Sequence, residues 1–372
     1  MIELRVMKTS NSFLKAHPSQ KKLTLFIAIG ILLILLPWIV SIGGGNYWVR
    51  VLDFALLYTL LALGLNIVVG FAGLLDLGYI AFYAVGAYSA ALLTSPHLAA
   101  NFIDFKNAFP QGMHVSYWLI IPVAALIAAG FGAILGAPTL KLRGDYLAIV
   151  TLGFGEIVRI FMNNLDRPLN LTNGPKGING IDAVSLGGVS LGKTFQIGSF
   201  SIPSVVLNYY LFVVLVVIVV MICGRLQRSR IGRAWVAIRE DEIAAKAMGI
   251  NTRNLKLLAF AIGASFGGLS GALFASFQGF ISPESFSLWE SIIILAMVVL
   301  GGMGHIPGVI LGSLLLTIFP EVLRASLEPL QRMIFGKVLI DSEVIRQLLY
   351  GLALILVMRF RPKGLWPENV AR

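Results

Sequence analysis

Charge is what this sequence has least of. Only 13% of its 372 residues are charged, 57% are hydrophobic, and the mean hydropathy is +0.86. A soluble domain carries roughly 25% charged residues. A chain this poor in charge could not cover its surface in water, so its apolar surplus calls for lipid as a solvent. Cysteine is reduced to Cys223, which excludes an intrachain disulfide. Histidine is confined to His17, His97, His114 and His305, scattered without metal-ligand spacing. The apolar runs also lack paired catalytic carboxylates, a Ser/His pair or clustered metal ligands, which argues against an intramembrane enzyme. A net charge of +11 would suit nucleic acid, but the basic residues form no single surface.

What is present reads as an all-α, polytopic integral membrane protein of about ten transmembrane helices. Apolar spans fall at 23–42, 51–70, 76–94, 116–137, 146–163, 204–224, 257–279, 290–302, 308–323 and 345–358. The pair around Gly302–Gly308 reads as one broken helix or a re-entrant pair. Lysine and arginine set the orientation. With the N-terminus cytoplasmic, the inside segments 1–22, 138–145, 225–256 and 359–372 hold 19 of them, and the outside segments 43–50, 95–115, 164–203 and 324–344 hold eight. The reverse orientation would invert that bias, so both termini are expected inside. The first span is too long for a signal-peptide core, and its Ser41-Ile42-Gly43 exit is no cleavage site, so it reads as a retained anchor. Gly263, Gly267 and Gly271, and Gly304, Gly308 and Gly312, recur every fourth residue. They read as packing seams within the chain, the second interrupted by Pro307.

One motif misleads. Gly187 to Thr194, GGVSLGKT, fits the phosphate-loop pattern. A true phosphate loop is followed by a helix. Here the next residues alternate as far as Pro203, which reads as strand or turn. No nucleotide site is expected on this chain, so ATP and Mg would have to be held by other subunits.

The segment 225–256 carries more information. Asp241 is placed as an N-cap and Gly249 as a C-terminal stop. Glu242 and Lys246 stand in the favourable i,i+4 order, and the acids Glu240, Asp241 and Glu242 suit the positive end of the helix dipole. Ile243, Ala244, Ala247 and Met248 form a small apolar face. The expectation is a short helix that docks in a partner's groove, rather than a solvated loop that only fixes topology.

This loop resembles the coupling loop of bacterial ABC importer permeases. Ala244, Ala245 and Gly249 align with its pattern, but the first acid falls at Glu242 and Ile243 takes its place. Five further stretches are similar to the branched-chain amino-acid permeases of the LivM type: Gly64 to Gly78, Leu142 to Arg159, Asn173 to Ile178, Ser282 to Phe286 and Val298 to Gly304. The C-terminal Arg361-Pro362-Lys363-Gly364-Leu365 completes the set. The resemblance runs from about residue 50 to the C-terminus.

It implies one of two unlike permease subunits in the lipid of a bacterial inner membrane. Two cytoplasmic ATPase subunits would dock on Arg239, Glu240, Asp241, Glu242, Ala244, Ala245, Met248 and Gly249, and a periplasmic binding protein would deliver the substrate. No nucleic acid and no cofactor on this chain are implied.

Polar residues within the spans are candidates for the path or gate. Glu156 and Arg159, three apart, can neutralise each other on one helix face. Asn66 and Asp76 flank a Gly70–Gly73 break, where Asn66 lines the path or bonds between helices. Asp145 and Tyr146 stand at the inner end of their span, with Arg143 beside them. Two rivals stay open. One is an importer of urea or short amides, which no residue separates from the first reading. The other is a stand-alone secondary carrier, which would need inverted repeats and would leave the capped loop unexplained.

Overall fold

The computed structural model describes residues 18–139, 142, 144–197, 200–335, 337, 341–361 and 364–366. Much of the expected N-terminal tail (1–22), Arg143, and most of the C-terminal tail (359–372) lie outside them. The described residues form thirteen helices and six very short strands. In chain order the helices are α1 (Pro18–Asn66), α2 (Ile80–Thr94), α3 (His97–Asn101), α4 (Ile103–Ala108), α5 (Tyr117–Thr139), α6 (Asp145–Asn164), α7 (Ser204–Arg228), α8 (Arg230–Glu240), α9 (Glu242–Ala247), α10 (Thr252–Gln278), α11 (Leu288–Gly301), α12 (Ile306–Phe335) and α13 (Ser342–Phe360).

The chain divides into two units, Met1–Val49 and Arg50–Arg372. In the first, helix α1 carries exposed apolar side chains such as Ile31, Leu32, Ile34, Leu35 and Ile39, as a lipid-facing helix does. Gly45 interrupts it with φ 73° and ψ −175°. This break separates the two spans expected at 23–42 and 51–70.

Five helical runs are long and apolar enough to cross a membrane: Gly30–Phe71, Tyr117–Thr139, Ser204–Arg228, Thr252–Gln278 and Ile306–Ile334. Three shorter apolar helices accompany them. With the Gly45 break and α6, which carries Asp145, Glu156 and Arg159, all ten expected spans coincide with helix. Two boundaries differ. Residues 76–79 precede α2 as a non-helical turn. Helix α12 runs to Phe335, where an outside loop was expected from 324. Thirty residues rise about 45 Å, more than the roughly 30 Å of hydrocarbon, so α12 is longer than one crossing requires.

In the second unit, α10 is the central post. It packs against α5, α2 and the Arg50–Asn66 part of α1. Small residues permit the approach. A Cβ on Gly271 would stand 2.1 Å from the Tyr83 carbonyl oxygen, and one on Gly86 2.1 Å from that of Gly268. The Gly263–Gly271 seam is therefore an internal one, since chains this close leave no room for a methyl. Tyr79 Oη donates to the Gly263 carbonyl across the same contact at 3.0 Å.

The segment 164–203 holds two short hairpins and one strand that pairs with a distant one. Strand β1 (Ile178–Asn179) pairs with β6 (Phe280–Ile281), β2 (Ser185–Leu186) with β3 (Val189–Ser190), and β4 (Phe195–Ile197) with β5 (Phe200–Ile202), all antiparallel. Further ties bind this segment to the helices. His114 Nδ1 meets Asp182 Oδ2 at 2.6 Å, and that hydrogen bond raises the imidazole pKa from its usual value. Ser276 Oγ accepts from the Val184 amide at 2.8 Å.

The phosphate-loop look-alike lies here. Gly187 and Gly188, at φ 58° and 89°, make the two-residue turn of the β2–β3 hairpin. Lys193 is exposed, and strand β4 follows it instead of a helix. Without a helix N-terminus there is no converging set of amides for a phosphate. We expect Lys193→Ala to leave transport and ATPase activity of the assembled system unchanged; loss of nucleotide binding in that variant would restore a phosphate site.

Candidate coupling site

Helix α8 starts at Ser229, whose Oγ accepts from the Gly232 amide at 3.1 Å. Trp235 is fully buried and donates from Nε1 to the Leu255 carbonyl at 2.7 Å, fastening α8 to α10. Helix α9 is short, and its ends are held by local chemistry. Asp241 Oδ1 accepts from the amides of Ile243 (2.8 Å) and Ala244 (3.0 Å), satisfying two orphan donors. Gly249, at φ +83°, closes the other end, with its amide on the Lys246 carbonyl at 3.1 Å.

Two expectations for α9 are corrected. Glu242 pairs with Lys256 of α10 at 2.7 Å, in place of Lys246. The Lys256 side chain is only 6% exposed, and a nearly buried ammonium needs a carboxylate. Ala245 is 4% exposed and packs inward, so it is not on a docking face. The residues that do face outward are Ile243 (69% exposed), Ala244, Ala247 and Met248 (84%). An apolar patch at the tip of a polar loop marks a contact surface.

Arg239, at the end of α8, reaches away from that tip. Its Nη1 donates to the Gly70 carbonyl, which belongs to a π-helical turn at Ile67–Phe71 that closes the α1 helix. Single π turns inside helices gather at functional positions because they loosen the backbone ladder. The same place receives the break between α11 and α12. Asn66 Oδ1 accepts from the Gly304 amide at 2.8 Å, and Gln227 Nε2 donates to the Gly304 carbonyl at 3.2 Å. A Cβ on Gly70 would stand 2.5 Å from the Gly304 nitrogen. From the C-terminal stretch, Leu365 donates its amide to the Leu300 carbonyl at 2.8 Å. Thus the outward loop, the π turn and the α11–α12 break are joined by direct hydrogen bonds. Beside Arg239 lies a cleft of about 300 Å³, lined by Gly73, Leu75, Gly144, Leu147 and Ile238 among others.

The family model for the permease component of branched-chain amino acid transport systems matches residues 47–358. The chain belongs to this permease family. It is 40% identical over 360 residues to the high-affinity branched-chain amino acid transport system permease protein LivM of Escherichia coli K12, covering 93% of this chain and 75% of that one. It is 26% identical over 337 residues to a probable LivM of Methanocaldococcus jannaschii, covering 84% and 91%. A differently named permease, LivH of Escherichia coli K12, is 25% identical over 265 residues, covering 70% and 80%. No solved structure matches the chain.

Elsewhere in the permease, the sequence-derived polar residues divide. Asn66 is buried and bonds between helix breaks. Asp76 is also buried, with Oδ1 accepting from the Gly78 amide at 2.9 Å. Next to it, Thr151 Oγ1 accepts from the Leu77 amide (3.0 Å) and Ser291 Oγ donates to the Leu77 carbonyl (2.6 Å), so this turn ties α2, α6 and α11. Glu156 and Arg159 form the expected ion pair, with two Nε–Oε distances of 3.0 Å, on a face about one-third exposed. Asp145 and Tyr146 open α6 and are exposed. These residues do not converge on one point.

Two residues escaped the sequence reading. Gln227 has no local signal, being one polar residue in a basic run. Asp53 had one, since an acid inside an apolar span is costly. It is fully buried, and neither carboxylate oxygen has a hydrogen-bond partner among the described residues.

Proposed function

We propose that this permease is one of two unlike membrane subunits of an ATP-driven importer for branched-chain amino acids in a bacterial inner membrane. Both termini are cytoplasmic on this reading, which places 225–256 inside and 164–203 outside. The observation that carries it is the pairing of α9's exposed apolar tip with the Arg239–Gly70 bond behind it. Two ATPase subunits holding ATP and Mg supply the energy, one of them seated on Ile243, Ala244, Ala247 and Met248. Movement of α8 on nucleotide binding is passed through Arg239 to the π turn and through Gly304 to the α11–α12 break. A sister permease completes the path, and a periplasmic binding protein delivers the amino acid. The polypeptide itself catalyses no bond making. A secondary carrier would have no use for an apolar docking helix held by a cap and a buried ion pair.

Mild-detergent purification of the tagged chain from its native membranes tests this. Co-purification of a second permease and two ATPase subunits is expected. A chain that purifies alone from transport-competent membranes would contradict it.

A further inference from the structure

Helix α7 turns an apolar face outward through Val214, Ile218 and Met221, all exposed. At the same three- and four-residue spacing the next positions are Arg225 and Arg228, which are exposed too. Residues 204–224 carry no charge. Such a stretch rises about 32 Å, close to the roughly 30 Å of hydrocarbon. The lipid-facing stripe of α7 therefore passes directly from apolar side chains to two guanidinium groups at headgroup level.

The chain then bends sharply into α8. Ser229, in extended conformation, caps the new helix. A Cβ on Gly232 would stand 2.3 Å from the Leu226 carbonyl oxygen, so a side chain there would force the elbow apart. Across the elbow Arg233 Nη1 donates to the Arg228 carbonyl at 2.9 Å. Arg230 and Arg233, both exposed, are thereby held at the end of α7 with Arg225 and Arg228. None of the four has a carboxylate partner among the described residues.

Basic residues that only fix topology need no fixed arrangement. These four sit on a capped, closely packed elbow, and two of them continue a face that lipid covers. A guanidinium takes a phosphate through two parallel N–H donors, while its aliphatic stem lies along apolar surface. A water-soluble partner would not reach the stripe of Val214, Ile218 and Met221. A phospholipid meets both parts at once, and four to eight basic residues beside a membrane helix suit an anionic headgroup.

We infer that the α7–α8 elbow is a binding site for an anionic phospholipid. Arg225, Arg228, Arg230 and Arg233 hold the phosphate-diester headgroup, and the acyl chains lie along the apolar stripe of α7. Gln227, between the first two arginines, donates to the Gly304 carbonyl, so the headgroup sits on the helical turn that braces the α11–α12 break. The site needs only a membrane-embedded permease; it requires neither ATP nor a second subunit, and so stands or falls apart from the importer reading.

Local fluorescence quenching in vesicles tests it. Ile222 is exposed three residues before Arg225, and the native Cys223 is buried, so Ile222→Cys places a single addressable thiol beside the site. The labelled full chain is reconstituted in phosphatidylcholine and titrated with nitroxide-labelled phosphatidylglycerol, or with nitroxide-labelled phosphatidylcholine of the same acyl chains. Phosphatidylglycerol should quench at a mole fraction about tenfold lower or less. Arg225→Gln, at an exposed position, should weaken that preference about fivefold, and glutamine at all four positions should erase it. Glutamine at Lys106, Arg167, Lys176 and Lys193 removes as many exposed charges elsewhere and should leave it unchanged.

Equal quenching by the two lipids, a preference that survives the fourfold substitution, or one that the control set also removes, overturns the site. If Arg225→Gln instead releases a co-purifying subunit and leaves the lipid preference intact, the elbow is a protein contact and the assignment falls.

Discussion

Met248→Glu and Ala247→Glu are expected to abolish ATP-driven uptake while leaving the permease inserted and folded. Met248 is 84% exposed and Ala247 is exposed, so neither change disturbs the chain's own packing. On the docking reading, both side chains enter an apolar groove of the ATPase. Burying a carboxylate there without a partner costs about 3–5 kcal/mol, more than a hundredfold in affinity at about 1.4 kcal/mol per decade. Uptake in vesicles, together with the amount of ATPase that co-purifies, measures it. Normal uptake with either glutamate would remove α9 from the interface. The choice of position matters. Ala245→Arg would also abolish transport, but Ala245 is buried, so the loss would report a broken loop. Gly249→Asp mixes the added charge with backbone strain at φ +83°.

The second large effect is expected of Arg239→Ala, and it has a different signature. Arg239 bonds the Gly70 carbonyl behind the docking tip. Removing it should leave the ATPases bound and hydrolysing ATP, while uptake per ATP falls. A hydrogen bond from a charged group contributes about 1.5–3 kcal/mol, so a loss of roughly ten- to a hundredfold in coupled uptake is expected. Arg239→Lys keeps a charge but reaches a carbonyl with a single point donor, and should recover only part of it. If Arg239→Ala lowers ATPase binding and uptake in equal measure, Arg239 belongs to the docking face and the route to Gly70 carries no coupling.

The two variants probe features that the sequence announces unequally. Helix α9 is written in local chemistry: an acid that caps it, a glycine that stops it and an apolar stripe between. Such interactions span two to four residues, so they can be read along the chain. The break near Gly70 is visible for the same reason. What Asn66 does there is not visible, because its partner, the Gly304 amide, is 238 positions away. Likewise, the i,i+4 geometry for Glu242 pointed to Lys246, whereas burial of Lys256 on α10 makes that ammonium the stronger claimant.

Which side of a short helix faces inward also depends on its neighbours, and so Ala245 was expected on the wrong face. The length of α12 was underestimated because hydropathy marks where a helix suits lipid and not where the helix stops. Asp53, Glu290 and Arg346 sit in apolar spans where their presence could be noted. Only the packing of α1, α11, α12 and α13 brings the last two around one cavity.

The central claim is that this chain moves amino acids as a part driven by ATP from other subunits. The most direct measurement is leucine uptake into proteoliposomes that contain the purified complex with its binding protein, with ATP and ion gradients varied separately. Uptake that requires ATP and persists when ionophores collapse every gradient is predicted. Uptake by the chain alone, driven by an ion gradient without ATP, would contradict the account and establish a stand-alone carrier.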